Sequence, residues 1–198
     1  MPISEETISS RLMAALPPNS SQSHAYSEID ITEDTRLKCA AVLIPLVKND
    51  DDWHVLFTRR THRVESHKGQ VSFPGGACDE GETTPEETAL REANEEIGVI
   101  PTEVRVLGRL ASMITISTFR VTPVIGVLPW PCVFRVNEEE VERIFTVPLN
   151  WLGQKGNRWE FTFPGRTRGV IVYQPFDGEM VWGATARMTV DFLNVIGL

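Results

Sequence analysis

Cysteine is scarce in this sequence: Cys39, Cys78 and Cys132 are the only three, widely spaced and without a Cys-x-x-Cys pair. An odd count at such spacing argues against a disulfide framework and predicts a reducing compartment. Cys78 is expected to be a small packing residue rather than a nucleophile. Long apolar runs are missing too. The stretch from Cys39 to Val47 is interrupted by Pro45 and falls far short of the roughly 20 residues that span a bilayer, so no membrane partner is expected. The N-terminus is acidic early and carries no cleavable signal pattern, and the final Ile196-Gly197-Leu198 is not a peroxisomal address; the cytoplasm is the expected location. Positive charge is outweighed, with a formal net charge of −8. A nucleic-acid surface would need a local basic patch against that field, and none is expected as a partner. Acidity does not forbid an anionic small molecule, because a bound cation would dominate the local electrostatics. Internal repeats are also absent. What is present is ordinary for one globular domain: 198 residues, 41% apolar and 23% charged.

The chain is organised around Gly75 to Val99, GGACDEGETTPEETALREANEEIGV. Thr84 suits an N-cap, Pro85 the first helical position, and Glu87 completes a capping box; Gly98 fits just past the end. A helix over 85–97 follows. On it Glu92, Glu95 and Glu96 stand at i, i+3 and i+4, so their carboxylates share one face. Each like-charge pair costs roughly 0.2–0.5 kcal/mol when nothing neutralises it. Such a face is ordinarily just solvated, with Arg91 as a partial counter-ion. The preceding Phe73-Pro74-Gly75-Gly76 bend changes the balance, since its glycines can bring backbone close to a bound group. A cluster of hard oxygen ligands selects Mg2+ or Mn2+, the ions of phosphate chemistry.

This stretch resembles the Nudix box, Gly-x5-Glu-x7-Arg-Glu-U-x-Glu-Glu-x-Gly-U with U aliphatic. Gly76, Glu82, Arg91, Glu92, Glu95, Glu96, Gly98 and Val99 fill it, and Ala93 stands at the first U. Eight residues rather than seven separate Glu82 from Arg91, an insertion expected in the loop before the helix. The resemblance implies an α/β fold, the Nudix α/β/α sandwich with a mixed β-sheet, over 38–198, preceded at 1–37 by a helix and a polar arm. It also implies a metal-dependent diphosphate hydrolase. In that reading Glu92, Glu95 and Glu96 hold Mg2+ or Mn2+ with the Gly75 carbonyl as an added ligand, and Arg91 orients the carboxylates. The general base stays open between a box glutamate and a carboxylate from a later loop.

In chain order, residues 4–16 read as an amphipathic helix carrying Ile8, Leu12, Met13 and Leu16, and 17–37 as a polar arm on which no structure is forced. Strands are expected at Lys38–Val47 and Trp53–Thr58, joined as a hairpin through Asp50-Asp51-Asp52, with His54 a satisfied structural histidine. A basic stretch follows. Arg59, Arg60, Arg63 and Lys68, placed directly before the box, look like an anion cradle, with Phe73, Gly75 and Gly76 completing a substrate site; His62 and His67 are weaker members. The same stretch resembles the signature of the coenzyme A pyrophosphatase subfamily, Leu-Leu-Thr-x-Arg-Ser/Ala-x3-Arg-x3-Gly-x3-Phe-Pro-Gly-Gly. Leu56, Thr58, Arg60, Gly69, Phe73, Pro74, Gly75 and Gly76 match it in register. Phe57 and Thr61 are mild changes, whereas Glu65 stands where the pattern has its second Arg.

Further strands are expected at Val104–Met113 and Phe119–Leu128, with Ile116 and Thr118 in a bend where relatives often carry Gly. Asn137 is expected to cap a short helix bearing Glu138, Glu139, Glu140 and Glu142, one of which is a candidate for an extra metal-linked carboxylate. A hairpin around Gly165 and a final helix with Met188, Phe192 and Val195 on its core stripe complete the chain. The implied partner is a small-molecule nucleotide substrate, coenzyme A or a related diphosphate, cleaved to adenosine 3′,5′-bisphosphate and 4′-phosphopantetheine. ADP-ribose or a dinucleotide is the alternative, motivated by Glu65, Ile116 and Thr118. A non-catalytic binding module is a third reading, although such a module is expected to lose box carboxylates and all three are here. A homodimer is left open.

Overall fold

The computed structural model describes residues 3–15, 23–25, 35–63, 68–162, 164 and 169–198. Four helices, α1 (Glu5–Ala15), α2 (Pro85–Ile97), α3 (Leu149–Gly153) and α4 (Gly183–Ile196), surround strands β1 (Ser23–Ala25), β2 (Lys38–Asn49), β3 (Asp52–Arg60), β4 (Val71–Ser72), β5 (Gly75–Ala77), β6 (Arg105–Arg109), β7 (Ser112–Ile114), β8 (Phe119–Val127), β9 (Val141–Pro148), β10 (Arg158–Phe161) and β11 (Val170–Tyr173). Among the described residues no helix is long and apolar enough to cross a membrane.

The sheet is mixed, as expected. β2 runs parallel to β8, and β3 is antiparallel to both β2 and β9. The β2–β3 hairpin turns at Asp50 and Asp51, both at positive φ (46° and 68°), the conformation that two-residue hairpins demand and that Asp tolerates. One face of the sheet packs Ala41, Leu43, Val47 and Leu56 against Ala89, Ala93 and Ile97 of α2. The other packs Ile44, Leu46, Val55 and Phe57 beneath α1, α3 and α4. Helix on sheet on helices is the α/β/α sandwich.

Two expectations are corrected here. Asn137 caps a turn, not a helix: it accepts from the Glu139 amide at 3.2 Å, and Val141 then enters β9. The expected helix ends at Glu142, which lies inside β9, because the pairing of β9 with β3 is non-local and leaves no signal in the local sequence. Leu110 and Ala111 also split the strand expected at Val104–Met113 into β6 and β7. The turn around Gly165, and Glu65, His67, Leu16 and most of the polar arm, lie outside the described residues; Ser23–Ala25 of the arm runs parallel to β7.

α1 is part of the core. Ile8 and Leu12 are buried in the same cluster as Phe192 and Ile196 of α4, while Met13 is exposed. Arg11 donates to the Ile196 carbonyl at the end of α4, and Trp53 Nε1 donates to the Ile3 carbonyl at 2.7 Å. Leu12 packs over Gly108, where an added Cβ would come within 3.1 Å of it. Leu12→Ala is expected to destabilise the fold by about 2–5 kcal/mol, measured as a lowered urea midpoint; a change within error would show α1 to be an appendage.

Candidate active site

α2 forms over the expected residues for local reasons. Thr84 accepts from the Glu87 amide, the Glu87 carboxylate accepts from the Thr84 amide, Pro85 opens the helix and Gly98 closes it at φ 72°. Ala89 and Ala93 are small enough to seat α2 flat on the sheet, which turns Glu92, Glu95 and Glu96 toward β5 and the loops at its end.

Arg91 ties this face together. Its Nε lies 2.8 Å from Glu82 Oε1 and 3.3 Å from Asp79 Oδ2. Its Nη1 lies 3.0 Å from Glu92 Oε1 and 2.9 Å from Glu95 Oε2, and its Nη2 donates to the Ala77 carbonyl at 2.9 Å. The eight-residue spacing does not detach Glu82, whose carboxylate also accepts from the Thr88 hydroxyl at 2.7 Å. Arg91, with Thr88 and the Asp79 amide, holds the Glu82 carboxyl at about 2, well below its ordinary 4.5.

β5 backs the glutamates with main chain. The Gly75 amide favours the ionised form of the Glu96 carboxylate. Gly76 lies so close to Glu92 that a Cβ there would sit 2.5 Å from Oε1, so any side chain at this position would have to displace that carboxylate. Glu96 is 2% exposed, and its nearest cation, Arg60 Nη1, stands at 3.5 Å. Burial pushes its carboxyl up to about 8; Arg60 opposes that shift, and Glu140 and Glu92 add to it. Burial raises Glu92 as well. Glu96 Oε2 is buried without a hydrogen-bond partner.

The charge of Glu140, from the turn before β9, opposes ionisation of both Glu92 and Glu96. Asn137 Nδ2 donates to Glu140 Oε1 at 3.1 Å, and the Asn137 amide donates to the Glu96 carbonyl at 2.9 Å. Thr61 clamps the same turn, its amide on the Glu140 carbonyl (2.9 Å) and its hydroxyl on the Glu139 carbonyl (2.8 Å). Asn137 was read from sequence only as a cap; its second role needs the turn to fold back on α2.

The basic stretch does not act as one cradle. Arg60 alone of the four contacts a box glutamate among the described residues. Arg59 is engaged by Glu142 at 2.9 Å and by the buried Glu179 at 3.1 Å, which also holds Arg143. Neighbours on a strand face opposite ways, and the register shifts between Arg59 and Arg60. Arg63 pairs with Glu139 at 3.3 Å on the surface, and Lys68 is exposed in the turn before β4. Phe73 is corrected from substrate contact to core: it is buried and stacks on Phe57 with ring centroids 5.0 Å apart. His54 is satisfied by Thr146 at 3.2 Å.

The cysteine expectation is overturned. Cys39 and Cys78 are disulfide-bonded with Cα atoms 5.3 Å apart, and Cys132 alone is free. The pair extends the antiparallel register of β2 and β5 by one position past Ala40 and Ala77, a proximity that a separation of 39 residues hides. The cysteine count therefore gives no reason to assume a reducing compartment.

Among the described residues, no three His, Cys, Asp or Glu side chains converge closely enough to hold a metal; Arg91 draws Glu92 and Glu95 toward itself instead. The donor set nevertheless suits a hard cation. It is all oxygen, it includes an unpartnered buried oxygen on Glu96, and the charges of Glu140 and Glu92 add to the cost of ionising Glu96, which a cation would relieve.

Comparison with known proteins agrees with this geometry. A family profile described as NUDIX domain matches residues 37–166. "Uncharacterized Nudix hydrolase NudL" of Yersinia enterocolitica is 39% identical over 150 residues, covering 75% of this chain and 76% of that protein. A protein of the same name from Salmonella heidelberg is 35% identical over 170 residues, covering 85% and 88%. A solved MutT/nudix family protein from Enterococcus faecalis superposes with a TM-score of 0.56 at 14% identity, over 86% of this chain and 66% of that one; it supports the fold alone.

Glu82 gives the site a measurable acid limb. Its folded carboxyl lies below its unfolded value, so its stabilisation is complete above about pH 4.5 and is lost as pH falls toward about 2. Glu82→Gln is expected to lower stability at neutral pH and to flatten the loss between those values, followed by urea midpoints across pH. An unchanged acid limb would mean that Glu82 does not carry it.

Proposed function

The chain belongs to the Nudix family, and from that premise we propose that it is a divalent-metal-dependent pyrophosphatase for nucleoside diphosphate derivatives, with coenzyme A or its derivatives as substrate. The observation that carries the reading is the buried Glu96, with one oxygen unpartnered and the carboxylates of Glu92 and Glu140 beside it. Mg2+ or Mn2+ would be held by Glu92, Glu95 and Glu96, with the Gly75 carbonyl as a further ligand. When bound, the ion neutralises the diphosphate and lowers the pKa of an attacking water.

The chain's own residues set the rest. Arg91 holds Glu92 and Glu95 in place and is itself held by Glu82 and the Ala77 carbonyl, so it acts as an orienter. Arg60 reaches the site from β3 and supplies the cationic edge for a substrate phosphate. Asn137 occupies Glu140 Oε1, which leaves Oε2 to take the water's proton. Arg63, now paired with Glu139, and Lys68 are both exposed and would join that edge only once a substrate draws them in. The coenzyme A assignment rests on Leu56, Thr58, Arg60, Gly69 and Phe73 to Gly76. The products would be adenosine 3′,5′-bisphosphate and 4′-phosphopantetheine, made in the cytoplasm. One observation favours the ADP-ribose alternative: Thr118 takes a positive φ of 61°, the backbone a Gly would adopt, so the bend after β7 differs from one with Gly in the side chains it adds, Thr118 and the 66% exposed Ile116.

Two experiments test this reading. Hydrolysis rates on coenzyme A, ADP-ribose and NADH with Mg2+ and Mn2+, with products identified, are expected to be highest on coenzyme A; a preference for ADP-ribose would move the substrate, and chelator-insensitive activity would remove the metal. Glu140→Gln is expected to lower kcat by roughly 10²–10⁴-fold with little change in KM, and near-normal kcat would return the base to the box glutamates.

A further inference from the structure

We propose that Cys39 and Cys78 form a reversible thiol–disulfide modification site that sets how firmly β5 supports the box. The pair lies beside the glutamate cluster and not within it. β5 is only three residues long, held to β2 by Ala40–Ala77, Ala41–Gly76 and Val42–Gly75. The Cys78 amide on the Cys39 carbonyl at 3.1 Å is its last main-chain tie before the loop, and the disulfide closes the same end.

Each residue of β5 touches the box. The Gly75 amide favours ionised Glu96, Gly76 abuts the Glu92 carboxylate, and Ala77 accepts from Arg91. The residue after Ala77 is Cys78. A strand this short has little stability of its own, so a cross-link one residue beyond it governs how often it frays. Cys39 is exposed and Cys78 half-buried, so a small thiol can reach the bond. Cys132 lies far along the chain, and burial raises its thiol, which lowers its thiolate fraction and keeps it out of the exchange.

The chemistry balances with a low-molecular-weight dithiol as reductant. Its thiolate attacks one sulfur, the Cys39–Cys78 bond breaks through a mixed disulfide, and the second thiol resolves that intermediate. Cys39 and Cys78 gain two electrons and two protons, and the reductant becomes a cyclic disulfide. Oxidised glutathione reverses the reaction and releases two molecules of the reduced form. With the bond closed β5 is clamped; with it open β5 frays, and Glu92, Glu96 and Arg91 lose a fixed backing.

The test uses the full chain treated with dithiothreitol or with oxidised glutathione. Thiol titration is expected to find one free thiol, Cys132, after oxidation and three after reduction. Deuterium exchange at the Gly75–Ala77 amides is expected to quicken about tenfold on reduction, and Mn2+ alone to bind several-fold more weakly. Cys39→Ser with Cys78→Ser should show the reduced values in either buffer, and Cys132→Ser should follow the natural protein. Three free thiols after oxidised glutathione, or equal exchange in both states, would overturn the proposal. The Mn2+ arm rests on the metal reading above and the exchange arm does not: redox-dependent exchange without Mn2+ binding in either state would sink the metal reading and leave this site standing.

Discussion

One guanidinium among four carboxylates is the constraint on which the site depends. Three glutamates crowd one helical face, and Arg91 offsets two of them while borrowing Asp79, Glu82 and the Ala77 carbonyl to fix its own position. An arginine suits that task because its donors are rigidly splayed and it never loses its proton. Glu96 is the member that Arg91 leaves out. It lies under the others, within reach only of a distant Arg60, and burial dominates its energetics. The result is asymmetric: Arg91 offsets two of the three carboxylates and leaves the buried one to Arg60 at 3.5 Å.

Packing makes this arrangement precise. Alanines at 89 and 93 let α2 lie close to the sheet, Gly76 lets β5 lie against Glu92 of α2, and Gly75 lets β5 lie against Ala41 and Val42 of β2. The acidic face is thereby caught between the sheet edge and the turn of Asn137 to Glu140. That turn is fastened at both ends, by Asn137 to the Glu96 carbonyl and by Thr61 to Glu139 and Glu140. A carboxylate more than forty positions along the chain thus moves as one body with the helix it serves.

α2 was legible residue by residue because its signals are local: a cap, a box, a proline and a closing glycine all within one stretch. β9 was not. Four glutamates before and inside it resemble a capped helix, and its strand character comes from Val141, Phe145 and Val147 packing opposite β3. The basic stretch misled for a related reason. Arg59 and Arg60 are adjacent in sequence, but once β3 extends through both they diverge, one to Glu179 and the other to Glu96. The Cys39–Cys78 bond is the extreme case, since only the pairing of β2 with β5 brings the two together.

The first helix and the last are stitched to each other. Arg11 closes the end of α4 across 185 residues of intervening chain, and Ile8 and Leu12 fill the slot beside it. On a ribosome adding roughly 5–20 residues per second, α1 would therefore wait on the order of 10–40 s before the surface it needs exists. During that interval Ile8 and Leu12 lack the α4 side chains they finally pack against. The sheet and α2 can assemble meanwhile; the arrival of α4 is what lets the opening residues settle.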